Sequence, residues 1–129
     1  MRIGDELIYY YSASSHGKNQ ARGTRITGGG VFRARLRVDG FVSVAGGRLT
    51  TRPLDLDGRE LWVNGIGPVT VEILTGSAEP PAEACVTGDS LRHRIRFDGE
   101  SLGEVAMGRV VRLRFTVSET GRLFSFTVQ

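Results

Sequence analysis

The chain of 129 residues offers few groups that could carry a reaction. Its acids fall mostly at turns (Asp39, Asp57, Asp89, Asp98) or near the ends of extended stretches (Glu60, Glu119). Sugar hydrolysis needs two carboxylates roughly 5–10 Å apart across one cleft, in environments that drive their pKa values apart. A turn aspartate ordinarily accepts hydrogen bonds from nearby backbone instead. His93 lies between Leu91 and Ile95 on the apolar side of an alternating run, the place of a satisfied, partly buried imidazole. His16, near Ser14 and Ser15, comes without the oriented base and oxyanion hole that serine chemistry requires. Cys85 sits in a Pro-containing stretch beside Glu83, which works against a reactive thiolate, and is expected to be a half-buried loop anchor. As the single cysteine it excludes an intrachain disulfide and a multi-thiolate zinc site. Gly28-Gly29-Gly30 runs into Val31-Phe32-Arg33, a strand, and not into the Gly-Lys-Ser/Thr and helix of a phosphate-binding loop. The residues thus predict no catalytic group, no cofactor and no metal.

Binding is better represented. In Glu60-Leu61-Trp62-Val63-Asn64, Trp62 shares a strand face with Glu60 and Asn64, opposite Leu61 and Val63. An outward ring flanked by hydrogen-bonding groups could stack on the apolar face of a sugar. The competing reading puts Trp62 beneath a neighbouring loop or the N-terminal hairpin, since large aromatics are mostly buried. Arginine stripes are the second feature: Arg33, Arg35 and Arg37; Arg92, Arg94 and Arg96; Arg112 and Arg114. Each stripe occupies one face of its strand. On adjacent strands they would form a basic plate able to grip sulfate, carboxylate or phosphate bidentately. On separate strands they are a solvated face paired with acids.

The elements behind these residues are short strands. Leu7 to Tyr11 is β-branched and aromatic. Ser12 to Gly30 is polar and Gly-rich, expected as a long loop. Val31 to Val38 alternates, with Phe32, Ala34, Leu36 and Val38 on one face. Phe41 to Val44, Arg48 to Arg52, Glu60 to Asn64, Val69 to Leu74 and Leu91 to Phe97 follow as strands. Thr75 to Asp89 reads as a second long loop around Pro80-Pro81. Ser101 to Gly108 is irregular, with room for a single helical turn. Val110 to Gln129 reads as a closing hairpin, its turn at Ser118 to Gly121 relying on positive φ at Gly121, and its last strand apolar on both faces at Leu123, Phe124, Phe126 and Val128. About nine short strands with frequent turn signals predict an all-β fold: an antiparallel, jelly-roll-like β-sandwich with an extra N-terminal strand pair. One domain is expected, with residues 1–38 forming the strand pair and Gly-rich loop and residues 39–129 the sandwich proper.

There are 17 Lys+Arg against 14 Asp+Glu, a net charge of +3, and Lys18 is the sole lysine. That surplus is too small to demand a nucleic-acid partner. Asp5 and Glu6 stand where the apolar core of a signal peptide would begin, and no apolar run approaches the about 20 residues of a membrane span. The chain therefore reads as soluble, cytoplasmic as it stands and without a membrane partner, although nothing in it fixes the compartment.

Four blocks carry a family resemblance. They are Gly4-Asp5-Glu6-Leu7-Ile8-Tyr9-Tyr10-Tyr11-Ser12 with Arg35-Leu36-Arg37-Val38-Asp39-Gly40-Phe41-Val42-Ser43; Leu49-Thr50-Thr51-Arg52-Pro53-Leu54; Gly88-Asp89-Ser90-Leu91-Arg92-His93; and Val111-Arg112-Leu113-Arg114-Phe115 with Gly121-Arg122-Leu123-Phe124-Ser125-Phe126. In series they resemble the C-terminal β-sandwich region of bacterial five-bladed β-propeller proteins related to the invertase-like glycoside hydrolases of family 32. The propeller, with its nucleophile and acid, has no counterpart here. The resemblance implies a non-catalytic accessory module: structural, self-associating or weakly carbohydrate-binding. The alternative is a stand-alone binder of an acidic glycan or phosphate through an Arg-striped face; a hydrolase with an unrecognised site ranks last. The binding candidates are Trp62, Asn64, Arg92, Arg94, Arg96, Arg112 and Arg114. The expected partners are a carbohydrate, and either further copies of the chain or a propeller-like protein. A domain that normally rests on a propeller carries an apolar docking surface, which another copy would cover.

Overall fold

A computed structural model describes residues 1–14, 28–56, 59–77 and 80–129. The chain divides into two compact units, Met1–Val38 and Asp39–Gln129.

The first unit is an antiparallel ribbon of β1 (Arg2–Ile3), β2 (Glu6–Ser14) and β3 (Gly29–Arg37), in that order. β2 and β3 pair along their full length, from Glu6 opposite Arg37 to Ser14 opposite Gly29. Pairing reaches further than the composition of Ser12–Gly30 suggests. Both ends of that Gly-rich stretch are strand, and residues 15–27, with His16, lie outside the described residues. Facing pairs sort by chemistry. Leu7 and Leu36, Tyr9 and Ala34, and Tyr11 and Phe32 share one face, with the last two rings stacked at 5.7 Å.

The second unit is an antiparallel sandwich. One sheet has the order β4 (Gly47–Thr50), β10 (Val110–Val117), β7 (Val69–Leu74), β8 (Ala82–Val86), with β5 (Leu54–Asp55) also on β10. The other has the order β11 (Arg122–Val128), β6 (Leu61–Ile66), β9 (Asp89–Arg94). An isolated bridge adds Val44 to the outer side of β11 at Leu123. The chain changes sheet between β5 and β6, β6 and β7, β8 and β9, β9 and β10, and β10 and β11. Because β6 pairs with β11 while β7 pairs with β10, the β6–β7 and β10–β11 crossings nest as in a jelly roll.

The closing segment is therefore not a hairpin. β10 and β11 are strands, but they pair with β7 and β6 and not with each other. Their connection arches across the core, where Phe115 and Phe126 stack at 5.0 Å from opposite sheets. Gly121 is needed there for space, not for positive φ: a Cβ on it would lie 2.7 Å from the Pro68 carbonyl oxygen. β11 is not apolar on both faces either. A register shift between Leu123 and Ser125 absorbs Phe124, so Leu123 and then Phe126 and Val128 all turn to the core. Phe41–Val44 forms no regular strand; left-handed Asp39 (φ 56°) and Gly46 (φ 56°) flank it and only Val44 reaches a partner. The supposed second loop contains strand β8, whose Ala82, Ala84 and Val86 pack against the core.

Alternation makes the core. Leu61 and Val63 of β6, Val69, Val71 and Ile73 of β7, and Val111, Leu113, Phe115 and Val117 of β10 are all buried. Each such side chain contributes about 1.5–3 kcal/mol relative to exposure. One end is closed by α1 (Leu102–Ala106), which buries Leu102 and Ala106. Ser101 caps it in a capping box with Glu104, and Met107 ends it in the left-handed conformation.

Candidate functional site

The outer face of the three-stranded sheet holds the densest group of predicted binding residues. β6 points Trp62 outward, with Arg94 of β9 opposite on one side and Thr127 of β11 on the other. The Trp62 ring is half-buried, because its neighbours lean on it. The Arg92 guanidinium lies 4.7 Å from the ring centroid and that of Arg94 5.9 Å, both within cation–π range. With its amide oxygen turned toward the surrounding donors, Gln129 accepts a hydrogen bond from Trp62 Nε1 at 3.0 Å and another from the Arg92 guanidinium.

Glu60 organises the neighbouring arginines. Arg94 donates to it through Nε (3.0 Å) and Nη2 (2.9 Å), a bidentate pair, and Arg96 Nη2 donates to Oε1 at 3.0 Å. Arg96 also lies 3.8 Å from Glu104. The hydrogen bond from Arg94 is the main reason the Glu60 carboxyl is held below its ordinary value; the charges of Arg94 and Arg96 add to it against some desolvation. Glu104 is held low by the side chain and backbone N–H of Ser101. The two carboxyls that share Arg96 are thus pushed the same way. That is the opposite of an acid and base pair, in which one group must stay protonated. Arg92 differs from its neighbours: among the described residues no ion pair links it to a carboxylate.

The other predicted residues lie elsewhere. Asn64 does not stand beside Trp62 on the surface but is buried, at 4% exposure, where the pairing of β6 with β9 shifts register between Val63 and Gly65. Arg112 and Arg114 sit on β10 in the opposite sheet; Arg114 pairs with Glu72 at 3.4 Å, and Arg112 stands opposite Leu74. Arg33, Arg35 and Arg37 belong to the N-terminal ribbon, with Arg35 3.4 Å from Glu6. The three stripes thus fall on three different sheets; the two in the second unit lie on opposite sheets of the sandwich and form no single basic plate. His93 is half-buried, its Nε2 3.2 Å from the Gly65 carbonyl oxygen, and so donates there. Cys85 is not a half-buried loop anchor; it is exposed on strand β8 at the edge of its sheet. Among the described residues, no three His, Cys, Asp or Glu side chains converge as a metal site would require, and no helix is long and apolar enough to cross a membrane.

Sequence reasoning missed Gln129 and Thr127. They join the site only because β11 lies beside β6, a long-range pairing that leaves no local signal. The chain matches no family model, and no curated protein or solved structure is significantly similar to it.

Proposed function

We propose that the chain is a non-catalytic carbohydrate-recognition module, and that its site is the outer face of the three-stranded sheet centred on Trp62. The observation that supports this reading is an indole held between β9 and β11, its N–H engaged by Gln129 and its ring bordered by Arg92 and Arg94. A ring fixed in orientation can stack on a sugar at little entropic cost once the Arg92 guanidinium over it swings aside, and the guanidinium groups offer planar donors beside the bound ligand. Arg92, with no carboxylate paired to it among the described residues, favours sugars carrying a uronate or sulfate. The reading accords with the resemblance of the four sequence blocks to the accessory sandwich of invertase-like hydrolases.

Trp62 is the only tryptophan, so its fluorescence reports on the site directly. Titration with uronate and sulfated oligosaccharides is expected to change that emission, and affinity is expected to fall as salt rises. Trp62→Ala and Arg92→Ser should each weaken binding at least tenfold while the far-ultraviolet dichroism stays unchanged. Unaltered affinity in both variants would sink the reading.

A further inference from the structure

We infer that the N-terminal ribbon is an amphipathic element that docks onto an anionic lipid surface. The pairing of β2 with β3 puts Leu7, Tyr9, Tyr11, Phe32, Ala34 and Leu36 on one face, with no charge among them. Those rings are exposed: Tyr9 by 44%, Tyr11 by 51% and Phe32 by 46%. The opposite face carries Arg33, Arg35 and Arg37 among Ile8, Tyr10, Ser12 and Val31, with Glu6 at one end. Charge is divided unevenly along the chain. Residues 1–38 contain seven basic and two acidic side chains, a net of +5, whereas residues 39–129 contain ten and twelve, a net of −2. Such asymmetry marks a segment with an anionic partner.

The segregation of the two faces selects the kind of partner. A single-stranded nucleic acid that stacked its bases on Tyr9, Tyr11 and Phe32 would need cations beside those rings to meet its phosphates. Here the arginines project from the other side of the ribbon. A lipid interface accepts this arrangement. The rings enter the boundary between headgroups and acyl chains, where tyrosine is favoured. The arginines stay level with the headgroups, their stems lying along apolar surface. The lack of a spanning helix bears on crossing a bilayer and not on lying in its surface.

The test is co-sedimentation of the whole chain with vesicles of phosphatidylcholine alone or mixed with phosphatidylglycerol. Binding is expected to the anionic vesicles at low salt, at least tenfold above the neutral ones, and to weaken as salt rises. The double substitutions Tyr11→Ser with Phe32→Ser and Arg33→Ser with Arg35→Ser should each reduce it at least tenfold. Trp62→Ala should leave it intact, which separates this surface from the glycan-facing one. Absence of vesicle binding by the wild-type chain would overturn the proposal. So would equal binding to neutral vesicles, tighter binding to oligothymidine than to vesicles, or a dimer that forms through the ribbon and excludes lipid.

Discussion

Glu60 is the residue on which the outer sheet face depends. It accepts from Arg94 and Arg96, two cations near the end of β9 that would otherwise repel each other, and its depressed pKa reflects that. The folded carboxyl gives up its proton at a lower pH than the unfolded chain's, whose ordinary value is 4.5. Its pairing therefore stabilises the fold in full above that value and fades as pH falls through the lowered one. Glu60→Gln should lower the melting temperature at neutral pH only modestly, because the pair is exposed to solvent. It should also flatten the loss of stability on acidification below 4.5, so that the two melting temperatures converge as pH falls through the lowered value. A gap of constant size across that range would show that the carboxyl contributes packing and not charge. At this scale the sequence was partly legible. Two-residue alternation put Glu60, Trp62 and Arg94 on outward faces. It failed at Asn64, because the shift in the pairing of β6 with β9 occurs at that position, and a register shift leaves no mark in the residues of one strand.

At the scale of elements, the connections are the informative parts. The β6–β7 and β10–β11 arches meet at their tips. Ser118 N donates to the Pro68 carbonyl oxygen at 3.2 Å, and Gly121 and Gly67 provide the room. A Cβ at Gly67 would collide with the Val86 carbonyl oxygen and with Thr87, and one at Gly121 with Pro68. Gly121→Ala should accordingly cost roughly 1–3 kcal/mol, as overpacking does. Gly30→Ala, with nothing within 4 Å of the added carbon, should stay within about 0.5 kcal/mol. Chemical denaturation of the two variants checks the contrast, and equal stability would mean that the arches yield freely. These arches also explain why strands were more legible than their partners. Alternation marks a strand and its buried face, as it does for β7 and β10. Nothing within VVRLRFTV or RLFSFTV states that the next strand lies in the other sheet. β8 escaped notice for a simpler reason: its inward residues include Ala82 and Ala84, too small to produce a hydrophobic signal against the flanking prolines.

At the scale of the molecule, the buried hydrophobic cluster is confined to one unit. Every member of it lies between Leu56 and Leu123, inside Asp39–Gln129. The ribbon of residues 1–38 pairs its strands fully, yet Ile8 is its one buried large apolar side chain among the described residues. A ribbon of a few strands without a packed core is marginal in water, whereas a two-layer core is the unit of cooperative folding. Residues 39–129 expressed alone should thus unfold in a single transition, with a melting temperature within about 5 °C of the whole chain, a shift of roughly 1 kcal/mol for a domain of this size. Residues 1–38 as a separate peptide should show little ordered strand by circular dichroism in plain buffer. Adding anionic vesicles should raise its strand content if the lipid surface supplies the missing packing partner. Failure of the 39–129 fragment to fold would place part of the core's stability in the first 38 residues, and a peptide that orders itself in buffer would show that the ribbon needs no partner.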